Sequence, residues 1–199
     1  MVLPAVAVTG MLLAGCAGAP VDADDAQEPG SGGTYAAFTT ILQAAEDGAP
    51  ELCLGGVMES YPPQCRGPEV VGLDWEDVAD AETASGVTWG TGWVVGIYDA
   101  GAGVFTLTEP VSDSAPQGLS EPSPAAPSGE GAADADILAA QDALHEALPE
   151  VLGSGGSGGI LEVTVILADD ATTQAVLDVV APWLGPDQVV VSGVLIAVE

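Results

Sequence analysis

The reactive inventory of this chain is lopsided: 30 carboxylates, one histidine and three cysteines stand against a single basic side chain, Arg66. Several familiar chemistries fail on it. His145 is followed by Glu146, which begins the zinc-binding pattern H-E-x-x-H, but there is no second histidine and position 149 is Pro. A nucleophilic serine would need that same histidine beside it in a cleft, and no G-x-S-x-G turn is present to display one. Asp99-Ala100-Gly101 could supply half of a proton-sharing carboxylate pair, yet Asp and Gly suit a hairpin turn there for backbone reasons alone. Gly153-Ser154-Gly155-Gly156-Ser157-Gly158-Gly159 lacks the G-K-[ST] ending of a phosphate-binding loop and reads as a flexible connection. Trp75, Trp89 and Trp93 could stack on a sugar or peptide, although core packing is the commoner use of large aromatics. The sequence therefore assigns no catalytic residue, no metal ligand and no cofactor.

The formal net charge of -29 excludes whole classes of partner. Nucleic-acid binding needs clustered cations against phosphate, and none exist. Electrostatic attachment to an anionic lipid surface fails for the same reason. A Ca²⁺ loop needs spaced acids and a glycine turn; neither Asp22-Ala23-Asp24-Asp25 nor Asp74-Trp75-Glu76-Asp77 has them. The acidity reads as a diffuse surface that attracts cations, with weak Ca²⁺ binding as its most specific consequence. Arg66 is expected to pair with a neighbouring carboxylate such as Glu69 rather than to clamp an anionic ligand.

The cysteines carry more information. Residues 1–15 are nearly all apolar or small, too short a run for a membrane-spanning helix of about 20 residues, and read as the apolar part of a signal peptide. The run closes on Leu13-Ala14-Gly15-Cys16, which resembles a bacterial lipobox and implies that Cys16 is acylated and becomes the new N-terminus. No Lys or Arg precedes the run, so the usual positive segment is missing; either the signal is weakened or the true start lies upstream. Residues 16–33 are rich in Ala, Gly, Pro and acids, too poor in large apolar groups to pack. They form an acidic tether with a reach of roughly 20 to 25 Å. With Cys16 used for lipid, Cys53 and Cys65 remain as an even pair on the oxidising side of the membrane and are expected to be bonded. A redox-active role would call for the closer spacing of C-x-x-C.

These residues must be positioned by two lobes. In residues 34–108, 38–42 and 51–54 flank the turn Glu46-Asp47-Gly48 as a hairpin, with a helix over 35–45 as the competing reading. Residues 69–73 form a third strand, after which Asp74 caps a helical turn over 75–79. Residues 93–98 and 104–108 form a hairpin around 99–103. Five short strands predict a small β-barrel-like lobe, of which an OB-like barrel is one instance. Five prolines interspersed with Ser, Gly and Ala make 109–133 a linker. Residues 134–199 then read as an α-β-α-β lobe. Its first helix carries Ile137, Ala140, Leu144, Leu148 and Val151 on one face, and 153–159 ends it. A strand over 161–167, a helix from Asp169-Asp170 and a closing strand over 189–198, bent near Ser192-Gly193, complete it. Two strands alone would be marginal, so this lobe needs a partner sheet from the first lobe or from another chain. The fold class is α+β.

Leu52-Cys53-Leu54-Gly55, Ser60-Tyr61-Pro62-Pro63-Gln64-Cys65-Arg66-Gly67-Pro68 and Gly72-Leu73-Asp74-Trp75 together resemble a signature of uncharacterised actinobacterial envelope proteins. The resemblance covers the first lobe well and the second loosely, supports the Cys53 to Cys65 pairing and implies an actinobacterial source. It brings no activity or ligand with it.

The expectation is a protein held by an N-terminal lipid at the extracytoplasmic face of the cell membrane. It would act there as a non-catalytic binding or structural module, with an envelope protein as a candidate partner. The alternatives are an envelope hydrolase using carboxylates alone, recognisable by paired acids about 5 Å or about 7 to 9 Å apart in a cleft, and a Ca²⁺-dependent module.

Overall fold

A stretch rich in small, β-branched and aromatic residues carries the chain out from Thr34 as a ten-residue strand, β1 (Thr34–Gln43), whose Ala37 and Ile41 point inward. The competing helix loses because Thr39, Thr40 and Ile41 form a β-branched run, stiff at χ1 and better accommodated in a sheet. The computed structural model describes residues 33–119 and 131–198. Cys16, residues 1–15, the tether up to residue 32 and linker residues 120–130 lie outside them.

After the turn at 44–49, β2 (Pro50–Leu52) returns antiparallel to β1, and β3 (Glu69–Val71) pairs antiparallel with β2. A 3-10 turn (Trp75–Asp77) follows, capped by the expected Asp74, whose Oδ1 accepts from the Glu76 N–H at 2.9 Å. Then come β4 (Glu82–Ala84), β5 (Val87–Asp99) and β6 (Val104–Leu107). β3 pairs with β6 in parallel, β6 with β5 antiparallel, and β5 runs back along the whole of β1. The order β1-β2-β3-β6-β5 thus closes on itself as a five-stranded barrel, the OB-like arrangement with a Greek-key crossover. β4 is an extra hairpin strand on β5. The sequence reading missed it because Glu82, Thr83 and Ala84 carry no apolar alternation.

Phe105, Ile41, Leu52 and Val94 fill the barrel and are fully buried. Val111 joins the same cluster, and Ser112 exchanges backbone hydrogen bonds with Trp93 at 2.7 and 3.1 Å. The expected linker is therefore ordered from 109 to 119. Its prolines only stop it from forming a regular strand, since each lacks an N–H for a ladder.

The second lobe departs more from expectation. α1 (Asp134–Ala147) buries Ile137, Ala140 and Leu144 as expected but stops before Leu148, which is extended because Pro149 follows. Val151, expected on the helix, begins strand β7 (Val151–Ser157), so 153–159 is not a flexible connection. Those glycines pair antiparallel with β8 (Ile160–Val165) through a turn at Gly158 and Gly159, with φ of 61° and 80°. That left-handed pair is the geometry of a tight hairpin. α2 (Asp170–Val180) follows, its N-terminus capped by Asp169 Oδ1 accepting from Thr172 N–H at 2.7 Å. β9 (Val189–Gly193) pairs parallel with β8.

The single closing strand expected over 189–198 is two strands. The chain leaves the three-stranded sheet at a bend at Val194-Leu195, just past the expected Ser192-Gly193, which are still paired with β8, and β10 (Ile196–Ala197) pairs antiparallel with β1. Leu152, Ile166, Leu167 and Val194 also pack against the barrel cluster. The second lobe's sheet is completed by its own β7 rather than by a sheet from the first lobe or another chain, while β10 ties the lobe to the barrel.

Candidate functional site

Parity along β1 and β5 decides what faces solvent. Ala37, Ile41 and Val94 point into the barrel, so the alternate residues, and their cross-strand partners, lie outside. Phe38 faces Trp93, Thr40 faces Thr91 and Leu42 faces Trp89 on this outer surface. Phe38 is 57% exposed and its ring centroid lies 5.6 Å from that of Trp93, tilted by 51°. Thr40 and Thr91 share a hydroxyl hydrogen bond of 3.1 Å. The face is thus an aromatic pair, a hydroxyl pair, then a third aromatic.

A disulfide holds the fourth aromatic over it. Cys53 and Cys65 are bonded, with Cα atoms 5.4 Å apart, and close the loop 54–64. Tyr61, at the tip, is 76% exposed and meets Trp89 edge-on, with centroids 5.6 Å apart and planes at 87°. Between this arm and the barrel wall lies an open cleft of about 660 Å³, lined by Leu42, Glu51 and Val87 on one side and Met58, Pro62, Pro63 and Arg66 on the other. That volume is within the usual range of ligand sites, roughly 300 to 1,000 Å³. A second open cleft, of about 420 Å³, flanks the opposite end of the stripe between Trp93, Glu109, Pro110 and Gln117.

The arm is anchored by backbone sterics and by its first strand. Thr39, the one buried polar side chain among the described residues, donates from Oγ1 to the Cys53 carbonyl at 3.3 Å, while Cys53 N–H donates to the Thr40 carbonyl at 2.9 Å. Gly67, where the loop rejoins the sheet, passes so close to Leu52 that a Cβ would stand 1.7 Å from its carbonyl oxygen. Only glycine fits there.

The residues singled out from the sequence fall in different places. Trp75 packs against the barrel cluster and donates from Nε1 to Gln43 Oε1 at 2.8 Å, as core use would have it. Trp89 and Trp93 do not; strand parity puts both on the outside, half-buried. Arg66 forms no ion pair with Glu69 or any other described carboxylate and is exposed at the cleft rim. Glu51, which lines the same cleft as Arg66, has its Oε2 accepting from the Gly67 N–H at 3.2 Å. Asp99 Oδ1 accepts from Ala102 N–H at 3.0 Å, which is turn chemistry.

His145 has a partner that sequence reasoning missed, because Ser154 was assigned to a flexible connection. Its Nε2 lies 3.1 Å from Ser154 Oγ, which also accepts from Gln141 Nε2 at 3.3 Å. The histidine is exposed, no described carboxylate orients its ring, and neither cleft includes it. This pair fastens α1 to β7. Among the described residues no group of three His, Cys, Asp or Glu side chains converges on a common point where a metal could sit.

Among the described residues one ionisation is displaced. Burial, then the charges of Asp99 and Glu150, push the Tyr98 hydroxyl above its ordinary value of 10.0. Tyr98 packs on the barrel cluster, away from the aromatic stripe. No family model, curated protein or solved structure matches the chain.

Proposed function

We propose that the protein is a non-catalytic binding module of the cell envelope, anchored at the extracytoplasmic face through acylated Cys16, and that it binds through the outer face of β1 and β5. The observation that carries the reading is the row Phe38, Trp93, Trp89 and Tyr61, with its two most exposed rings at 57% and 76%. Large aromatics exposed together on one face mark interaction surfaces, and Trp93 also lines an open cleft. The Cys53 to Cys65 bond supports the same reading, since structural disulfides belong mostly to oxidising compartments. Membership of the actinobacterial envelope group is part of the proposal.

The full chain carrying Cys16→Ser, which removes the lipid, tests it. We expect this protein to co-sediment with insoluble wall material, and Phe38→Ala with Tyr61→Ala to abolish co-sedimentation without lowering thermal stability. Equal sedimentation of both proteins would refute the site. Mass spectrometry of the unsubstituted protein tests the anchor: the reading requires an acylated N-terminal Cys16, and an intact Met1 contradicts it.

A further inference from the structure

We infer that the ligand of this face is a neutral polysaccharide chain lying along β5 from Trp89 to Trp93. The inference rests on the binding-module reading and names its ligand class. Trp89 and Trp93 are four residues apart on one strand, a separation of roughly 13 Å at the rise of an extended chain. That is the length of a short oligosaccharide rather than of a single ring.

The chemistry between the two aromatic pairs matches a sugar. The carbon-bound hydrogens of a sugar ring make an apolar face that packs on an aromatic ring, while its hydroxyls seek hydrogen-bond partners. The platform offers both in alternation: Phe38 with Trp93, the Thr40 and Thr91 hydroxyls, then Trp89 with Tyr61. The polar groups at its centre are neutral. Glu82, the cross-strand partner of Trp89, borders it as an acceptor.

Charge removes the main competitors. A chain of -29 with one Arg repels anionic polymers and repels a second copy of itself. A cationic peptide would be drawn to the protein as a whole, but the centre of this platform holds two hydroxyls and no carboxylate.

The test uses the full chain with Cys16→Ser, wall material, and soluble hexasaccharides of N-acetylglucosamine, mannose, galactose and arabinose, with oligolysine and polygalacturonate as charged comparisons. We expect at least one neutral hexasaccharide to release the protein from the wall and to shift its tryptophan emission, and the corresponding monosaccharide to do neither. Phe38→Ala and Tyr61→Ala should each weaken hexasaccharide binding by about tenfold or more. Release by oligolysine or polygalacturonate alone overturns the assignment. So does a dimer that Phe38→Ala dissociates, or a tryptophan emission that changes in the free protein when residues 17–32 are deleted. Wall binding that no neutral sugar releases removes only the glycan; an absence of wall binding removes the binding-module reading itself.

Discussion

At Gly67 and Tyr98 single groups set limits that can be measured. A methyl group at Gly67 would stand 1.7 Å from the Leu52 carbonyl oxygen, and backbone cannot yield as a side-chain tip does. Gly67→Ala should cost several kcal/mol, about 3 or more, read as a fall in the urea midpoint; a loss under about 0.5 kcal/mol would contradict the close approach. For Tyr98 the folded pKa is raised. The unfolded chain therefore loses that proton first as pH climbs past about 10, so it binds fewer protons than the native state and stability falls with rising pH. The contribution is complete below pH 10 and is lost as pH rises through the folded value. We expect Tyr98→Phe to flatten the alkaline limb of the stability profile; an unchanged limb would refute it. Neither residue announces itself in sequence. Gly67 stood within a Gly-Pro pair whose backbone neighbour is 15 positions away, and the displacement at Tyr98 depends on Glu150 from the other lobe.

The arm and the Gly-rich strand show how far elements were legible. The Cys53 to Cys65 loop was readable from cysteine parity, and its separation of 12 residues gives a closure worth roughly 3 kcal/mol on the chain-entropy model. Reduction, or the paired Cys53→Ala and Cys65→Ala substitutions, should lower stability by about that amount and loosen Tyr61 from Trp89. A reduced protein with unchanged stability and wall binding would show that the loop holds itself. The barrel strands were legible from β-forming residues set between turn signals, and in 104–108 from alternation. β7 was not, because Gly153, Gly155 and Gly156 give it no alternating pattern, and its pairing with β8 is supplied by tertiary contact. The same gap concealed the His145 to Ser154 hydrogen bond of 3.1 Å. We expect His145→Ala to cost about 1 kcal/mol or less and to leave wall binding unchanged; loss of an activity with it would point instead to serine chemistry at His145 and Ser154.

At the scale of the whole molecule, charge and lobe junction dominate. Strand β10 on β1 joins the lobes, and no periodicity in residues 189–198 could say that the bend hands the strand to another sheet. The net charge of -29 makes self-repulsion a standing cost of the folded state, relieved by counter-ions. The melting temperature should rise between low salt and about 150 mM salt, where the screening length is about 8 Å, and rise again with millimolar Ca²⁺; a flat response would contradict this. The central claim is that binding occurs on the outer face of β1 and β5, and hydrogen exchange of the protein with and without solubilised wall fragments tests it most directly. New protection should fall on 38–42, 58–64 and 87–95. Protection confined to α1 and α2, or none in a bound sample, would contradict the account.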